Sequence, residues 1–341
     1  MSVTIVRIGT SANDGAAGIH TYLLDDAGAL ASAGIEPILN PSYLIYNTDG
    51  TQLYAALESG SQPGGTGAVA AYAVDGMNLR LINIQPIGAF GPCHLHIFEN
   101  TLYAACYGGG ALCALPLGAD GELLPAQALY YPDVPAAPQG VVAHTHQVQP
   151  LPGGEALCVM DLGMDAIFLH PADDAMNPQA VRCVRTPQGC GPRHMAFSAD
   201  GRFGYLCGEL DNHVLVYRVG NDTLNQVQRI DALPQGWAET SYCGAIRISP
   251  DGRFLLVSNR GQDCVAVFAI GADGLLAQPR WYPCGGDFPR DMAFSPCGEF
   301  LLCANQCGGT VSVLRWEADD GNLTTVGSTQ VPKPTSVLFQ Y

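Results

Sequence analysis

The 341-residue chain carries 41 glycines and 24 prolines, a composition suited to a fold dominated by turns. Its formal charge of −16 argues against nucleic acid or an anionic membrane surface as a partner. No apolar stretch approaches the ~18–20 residues of a membrane span, and the opening MSVTIVRIGT lacks the basic and then apolar layout of an export signal, so a cytoplasmic location is expected.

Residues 4–24, TIVRIGTSANDGAAGIHTYLL, read as the second and third strands of a sheet with no first strand ahead of them. From there a turn signal recurs every fifty residues or so, at Asp49-Gly50, Glu99-Asn100, Pro152-Gly153, Asp200-Gly201, Asp251-Gly252 and Cys297-Gly298. The last three repeats align without a gap: MAFSADGRFGYLCGELDNHVLVY (195–217), IRISPDGRFLLVSNRGQDCVAVF (246–268) and MAFSPCGEFLLCANQCGGTVSVL (292–314). Each is an alternating apolar run, a two-residue turn, a second apolar run, a polar corner and a third apolar run. Asp-Gly between alternating apolar runs is a hairpin signal, because such turns need positive φ. A sheet unit that recurs at this period cannot bury its own faces and must stack on its neighbours, and the period is that of one propeller blade. Six turns give six blades. The C-terminal PTSVLF (334–339) reads as a first strand with nothing after it, which the N-terminal strands would complete as a seventh. The expectation is an all-β fold, a seven-bladed β-propeller forming a single domain over residues 1–341, closed by N- and C-terminal strands that share one blade.

The thirteen cysteines are odd in number, form no CxxC and mostly sit inside strands (Cys106, Cys158, Cys207, Cys303), where a free thiol acts as a small hydrophobe. That usage suits a reducing compartment. Positive charge is unevenly spread: among the arginines only Arg7 and Arg80 precede residue 182, and Lys333 is the only lysine. An anion site would therefore have to come from the later blades. Arg202 and Arg253 sit in the turns and read as solvated.

Overlaying the repeats exposes two polar slots. The first follows a recurring proline at the start of the innermost strand: Ser42-Tyr43, Cys93-His94, Arg193-His194, Arg290-Asp291 and Thr335-Ser336, with Thr145-His146 and Gly244-Ala245 in the other two blades. His94, His146 and His194 are thus expected at one equivalent position, with Arg193 and Arg290 beside it. Innermost strands line the channel of a propeller, so these side chains should converge near one mouth. The second slot is the corner after the second strand: Ser11, Glu58, Tyr107, Asp161, Glu209, Arg260 and Gln306. Titratable groups with guanidinium in a concave site suit proton transfer on a small anionic molecule. His94-x-His96 and His144-x-His146, with Asp161 or Glu209, could hold a metal, but no ligand spacing is sharp, and neither metal nor cofactor is expected. There is no GxSxG, and no cysteine has a neighbourhood that marks it as a nucleophile.

GCGPRHMAF (189–197), GYLCGELDNHVLVY (204–217), AIRISPDGRFLLVSNRG (245–261) and FPRDMAFSPCGEFLLCANQ (288–306) carry a resemblance that GPCHLHIF (91–98) with YGGG (107–110) and HTHQV (144–148) with DLGMD (161–165) extend. Over nearly its whole length the chain resembles the lactonase family of seven-bladed propellers, which includes bacterial 6-phosphogluconolactonases and fungal carboxymuconate-lactonizing enzymes. The resemblance implies a cytosolic hydrolase of carbohydrate metabolism that opens a sugar lactone, in first place 6-phosphogluconolactone of the pentose phosphate pathway. Lactone formation on a muconate-like diacid, or a non-catalytic propeller that binds a metabolite or a protein, are the alternatives. The family's polar positions fall on His146, Arg193, His194, Asp161, Glu209, Arg290 and Gln306; Ala245 departs from an acidic residue that relatives usually carry.

On this reading His146, His194, Glu209 and Arg193 are catalytic, while Arg290, His94, Asp161, Gln306 and Arg260 bind substrate. Arg193 and Arg290 would anchor the anionic group. His146 or His194, oriented by Glu209 or Asp161, would take a proton from water as it attacks the carbonyl, and His94 or the partner histidine would stabilise the oxyanion. The expected partner is a small anionic lactone, with no nucleic acid, no membrane, and a monomer or weak homodimer as the assembly.

Overall fold

The computed structural model of the protein describes residues 3–12, 17–58 and 66–340. Apart from two 3₁₀ turns, Tyr131–Asp133 and Ala172–Asp174, its regular structure is β, arranged as seven four-stranded antiparallel sheets. The first blade takes Pro41–Tyr46, Gln52–Leu57, Ala68–Asp75 and Asn78–Pro86 in order across the sheet; the second takes Pro92–Phe98, Thr101–Cys106, Ala111–Pro116 and Gln127–Tyr130. Thr145–Pro150, Ala156–Asp161, Ala166–Pro171 and Arg182–Arg185 make the third, and Pro192–Phe197, Phe203–Gly208, His213–Val219 and Leu224–Asp231 the fourth. The fifth has Tyr242–Ile248, Phe254–Arg260, Cys264–Ala269 and Arg280–Pro283; the sixth has Pro289–Phe294, Phe300–Asn305, Thr310–Glu317 and Asn322–Gln330. In the seventh, Pro334–Phe339 pairs with Thr4–Thr10, which is followed by Ile19–Leu24 and Leu30–Glu36. The fold is a seven-bladed β-propeller whose chain ends share one blade.

Second strands such as Gln52–Leu57, Ala156–Asp161 and Phe300–Asn305 are buried along both faces, whereas outer strands such as Leu30–Glu36 and Leu224–Asp231 are largely exposed. A strand covered on both faces reads as a continuous apolar run, which is why these segments lack the alternation of a half-exposed strand. Cys106, Cys158, Cys207 and Cys303 are fully buried in such strands, and all thirteen cysteines are free thiols. Among the described residues no helix is long and apolar enough to cross a membrane.

The hairpins differ in detail from the two-residue turns expected. Ser198 N–H donates to the Phe203 carbonyl at 2.9 Å and Gly201 N–H to the Ser198 carbonyl at 2.8 Å, which leaves a four-residue loop over 199–202. Only Gly201, with φ 71°, takes the left-handed conformation, so the loop is built on an ordinary type I turn. The aspartate serves as a brace, since the Arg202 N–H and the Ser198 hydroxyl both donate to Asp200 Oδ1, at 3.0 and 2.7 Å. Asp251 repeats this arrangement, and at Cys297 the Ser295 hydroxyl lies 3.2 Å from the thiol instead.

The chain packs as two compact units. One, Met1–Ile8, His20–Gly34 and Arg193–Tyr341, holds the fourth to seventh blades; the other, Gly9–Ile19 and Ile35–Pro192, holds the first three. Within each unit the core lies between successive blades. Tyr205, Val216, Leu255 and Phe268 form one such layer, and Val6, Ile8, Phe300, Leu302 and Phe339 another.

Phe339 and Val337 are buried in that last layer, and Arg7 Nη1 donates to Gln340 Oε1 at 2.8 Å. Deleting residues 332–341 removes this strand and uncovers the edge of Thr4–Thr10. The shortened chain should aggregate, or lose its cooperative transition, in denaturant unfolding followed by fluorescence and light scattering. A truncated protein that unfolds like the full chain would remove the shared blade from the account.

Candidate active site

The first strands open with a bulge, and its register settles which side chains are equivalent. Pro92 faces Cys106 and His94 faces Ala105, so Cys93 is the extra residue; likewise Ser42 stands between paired Pro41 and Tyr43, and Arg290 between Pro289 and Asp291. In the third blade Thr145 faces Asp161 and Gln147 faces Met160, which makes His146 the bulged residue. His146 therefore shares its position with Cys93 and Arg290, and not with His94 as the sequence overlay had it. A slip of one residue turns a side chain to the other face of a strand. The overlay slipped because this blade has no proline to anchor it. Thr145 stands in the proline's place, and its hydroxyl donates to the Ala111 carbonyl at 2.8 Å and accepts from the Cys106 N–H at 3.0 Å.

Asp161 is displaced in the same sense. It faces Ala166 as Asn259 faces Cys264 and Asn305 faces Thr310, so its counterparts are Asn259 and Asn305, and the corner position of this blade is the buried Leu162. The expected polar residue at every corner is thus interrupted. Asp161 Oδ1 accepts the backbone N–H of His144 at 3.0 Å and of Met164 at 2.9 Å. The carboxyl is a fully buried brace for its loop, as Asn259 is through its bond to the Ala232 carbonyl at 2.8 Å. Burial raises the Asp161 pKa, and the backbone N–H groups only partly oppose that.

In the unit of the first three blades, the His94 ring lies 4.4 Å from that of Tyr43. Tyr107 meets two imidazoles, stacking on His144 at 4.6 Å and meeting His146 edge-on at 5.7 Å. His144 Nδ1 lies 3.0 Å from the Tyr107 carbonyl, an acceptor, so the proton of that ring sits on Nδ1. Burial brings His96 down to about 4. Among the described residues no three His, Cys, Asp or Glu side chains are grouped to hold a metal ion.

The unit of the fourth to seventh blades gathers the guanidinium groups. Arg193 Nε and Arg260 Nη2 both lie 2.9 Å from Glu209 Oε2. Each arginine is fixed again by a carbonyl: Arg193 Nη1 donates to Gly244 and Arg260 Nη2 to Cys243, both at 2.6 Å. Burial, aided by the charges of Arg260 and Arg290 and opposed by Glu209, brings the Arg193 pKa down to about 10, so it stays charged at neutral pH. His194 Nδ1 lies 3.3 Å from Arg193 Nη1. Arg290 is half-buried and, among the described residues, has no ion pair. Gln306 donates its backbone N–H to the Phe288 carbonyl at 3.0 Å. Ala245, where an acidic residue was expected from the resemblance, is fully buried and donates its N–H to Ser258 Oγ at 2.8 Å.

Sequence reading missed two aromatic residues of this cluster. The Arg260 guanidinium lies 5.2 Å from the centroid of the Phe288 ring and 5.9 Å from that of Tyr242. A signal for Phe288 was present in its place before the recurring proline, where two other blades carry glycine.

The Asp161 brace can be checked apart from chemistry. Asp161→Asn keeps the acceptor oxygen and should leave both turnover and folding intact, whereas Asp161→Ala strands two N–H groups and should cost about 1–3 kcal/mol in denaturant unfolding. A carboxyl with a raised folded pKa binds its proton more tightly in the folded state, so wild-type stability falls as pH climbs from the ordinary carboxylate value through the raised one. The Asn variant should not show that fall. Lost turnover in Asp161→Asn with unchanged stability would give the residue a chemical role instead.

The family described as "Lactonase, 7-bladed beta-propeller" matches residues 5–339. A 6-phosphogluconolactonase of Bacillus subtilis is 30% identical over 356 residues, covering 99% of each chain. Among solved structures, the periplasmic gluconolactonase of Pseudomonas aeruginosa superposes with a TM-score of 0.92 at 32% identity, over 100% of this chain and 99% of that one. A putative 6-phosphogluconolactonase of Bacteroides fragilis follows at 0.88 and 29%, over 99% and 98%. Matched from one end to the other in sequence and blade for blade in architecture, the chain belongs to the lactonase family of seven-bladed β-propellers.

Proposed function

We propose that this protein hydrolyses a sugar lactone, and that its substrate is 6-phosphogluconolactone, which it opens to 6-phosphogluconate. The observation that carries the reading is the charge of the arginine cluster. Arg193 and Arg260 share the single carboxylate of Glu209, while Arg290 has no ion pair among the described residues. A chain of net charge −16 thus gathers three arginines against one ion-paired carboxylate. A planar guanidinium there suits the two oxygens of a phosphate.

The tautomer of His194 follows from its neighbour. A guanidinium only donates, so His194 Nδ1 accepts from Arg193 and the ring proton sits on Nε2. A neutral imidazole held this way can donate to the lactone carbonyl as it becomes an oxyanion. Glu209 fixes the two arginines, which gives it a positioning role. A strained δ-lactone opens unaided, so acid–base help of ~10²–10⁴ suffices. The substrate would place the enzyme in the pentose phosphate pathway, and thirteen free thiols suit a reducing cytoplasm.

The test is turnover of 6-phosphogluconolactone against gluconolactone, each corrected for spontaneous opening. The phosphorylated lactone should be preferred. Arg290→Ala should raise its KM about tenfold or more while leaving kcat nearly unchanged, and so erase the preference. His194→Ala should lower kcat by ~10²-fold or more. Equal kcat/KM on both lactones would reject the phosphate reading. A rate no faster than background on any sugar or muconate lactone would reject the enzyme.

A further inference from the structure

Phe288 is the residue of the arginine cluster that general physics explains least. It stands immediately before Pro289 with φ 65°. The same place is taken by Gly91 and Gly191, with φ 69° and 62°, and by Asn40 and Lys333, with φ 56° and 43°. A bulky ring is an unfavourable choice for left-handed backbone, and such outliers gather at functional sites. The fold does not demand it, since glycine serves in two blades.

The surroundings of Phe288 say what the ring is for. Its N–H donates to Asp263 Oδ1 at 2.9 Å and its carbonyl accepts the Gln306 N–H at 3.0 Å, so the main chain is pinned on both sides. The ring of Phe288, a half-buried residue, lies 5.2 Å from the Arg260 guanidinium, and two residues on is Arg290. Arg193 and Arg260 otherwise meet Glu209, His194 and backbone carbonyls, and the half-buried ring of Tyr242 lies near the Arg260 guanidinium. A phosphorylated sugar lactone needs both kinds of surface, donors for its anionic end and an apolar face for the C–H groups of its ring.

Resting on the lactonase reading, we propose that Phe288 determines specificity for the sugar ring. Its strained backbone fixes the aromatic face beside Arg260 and Arg290, so that a lactone ring packs on it while the guanidinium groups hold the anion. Specificity for a sugar phosphate over phosphate alone comes from this face.

Binding of the reaction product separates this role from catalysis. Wild type, Phe288→Gly and Phe288→Tyr are titrated calorimetrically with 6-phosphogluconate and with inorganic phosphate. Glycine accepts the left-handed conformation, so Phe288→Gly should melt no lower than wild type; should it fail to fold, Phe288→Asn, the residue type at position 40, takes its place. Phe288→Gly should weaken 6-phosphogluconate about tenfold and leave phosphate within about twofold, while Phe288→Tyr should match wild type. Unchanged affinity of Phe288→Gly for 6-phosphogluconate would overturn the proposal, as would an equal loss for both ligands, which would make the ring a prop for Arg260 alone. Wild type that binds neither ligand overturns it too. Wild type that binds 6-phosphogluconate with this pattern but opens no lactone refutes the hydrolase and upholds Phe288.

Discussion

Strands such as Gln52–Leu57 and Phe300–Asn305 are buried on both faces, so each sheet needs a neighbour on either side. This constraint governs where polar groups can go. Along the middle strands most side chains are apolar, small or thiols, with Arg7 and His170 buried only because partners meet their polar atoms, and the layers between blades are built from residues such as Tyr205, Val216 and Phe268. Charge is pushed to the strand ends, where corners and bulges interrupt the ladder. Arg193 and Arg290 open their strands, and Glu209 and Arg260 stand where second strands finish. The chemistry of this molecule is located by what its blades cannot bury.

Two guanidinium groups as deeply placed as Arg193 and Arg260 would repel each other if left alone. One carboxylate oxygen of Glu209 meets both, and backbone carbonyls of Gly244 and Cys243 take a further donor from each. The arrangement is rigid, because a planar fork with two fixed acceptors has little freedom left. Arg290, outside this lattice of contacts, keeps its charge for something else. Under the proposed function, this preorganised pair and the arginine beside it would receive the anion, in a protein that is acidic overall.

The architecture was legible because local chemistry and global fold agree. The Ser-x-Asp-Gly loops announce their hairpins through side-chain braces as well as glycine, and PTSVLF is visibly a strand that lacks partners. The site was legible in part. Arg193, Glu209, Arg260 and Arg290 could be picked out as polar residues at strand ends, but that one carboxylate serves two arginines depends on how adjacent blades stack. The third blade misled the overlay twice for one reason. Thr145 hides the anchor that proline gives elsewhere, and both His146 and Asp161 moved by one place as a result. Phe288 escaped notice because a phenylalanine in an apolar sheet protein draws no attention until its backbone conformation is known.

The shared seventh blade sets the timing of folding. Arg7 and Gln340, partners in the finished sheet, are 333 positions apart in the chain. During synthesis the strand Thr4–Thr10 leaves the ribosome long before Pro334–Phe339, the strand it pairs with. At ~5–20 residues per second the wait is on the order of tens of seconds, with an apolar edge open throughout. The other six blades are built from strands that follow one another in the chain, but the shared blade must bring together strands more than 300 residues apart, a costly contact to form early. Of all the strands in the fold, Thr4–Thr10 thus waits longest for a neighbour, with one edge of its ladder unpaired until then.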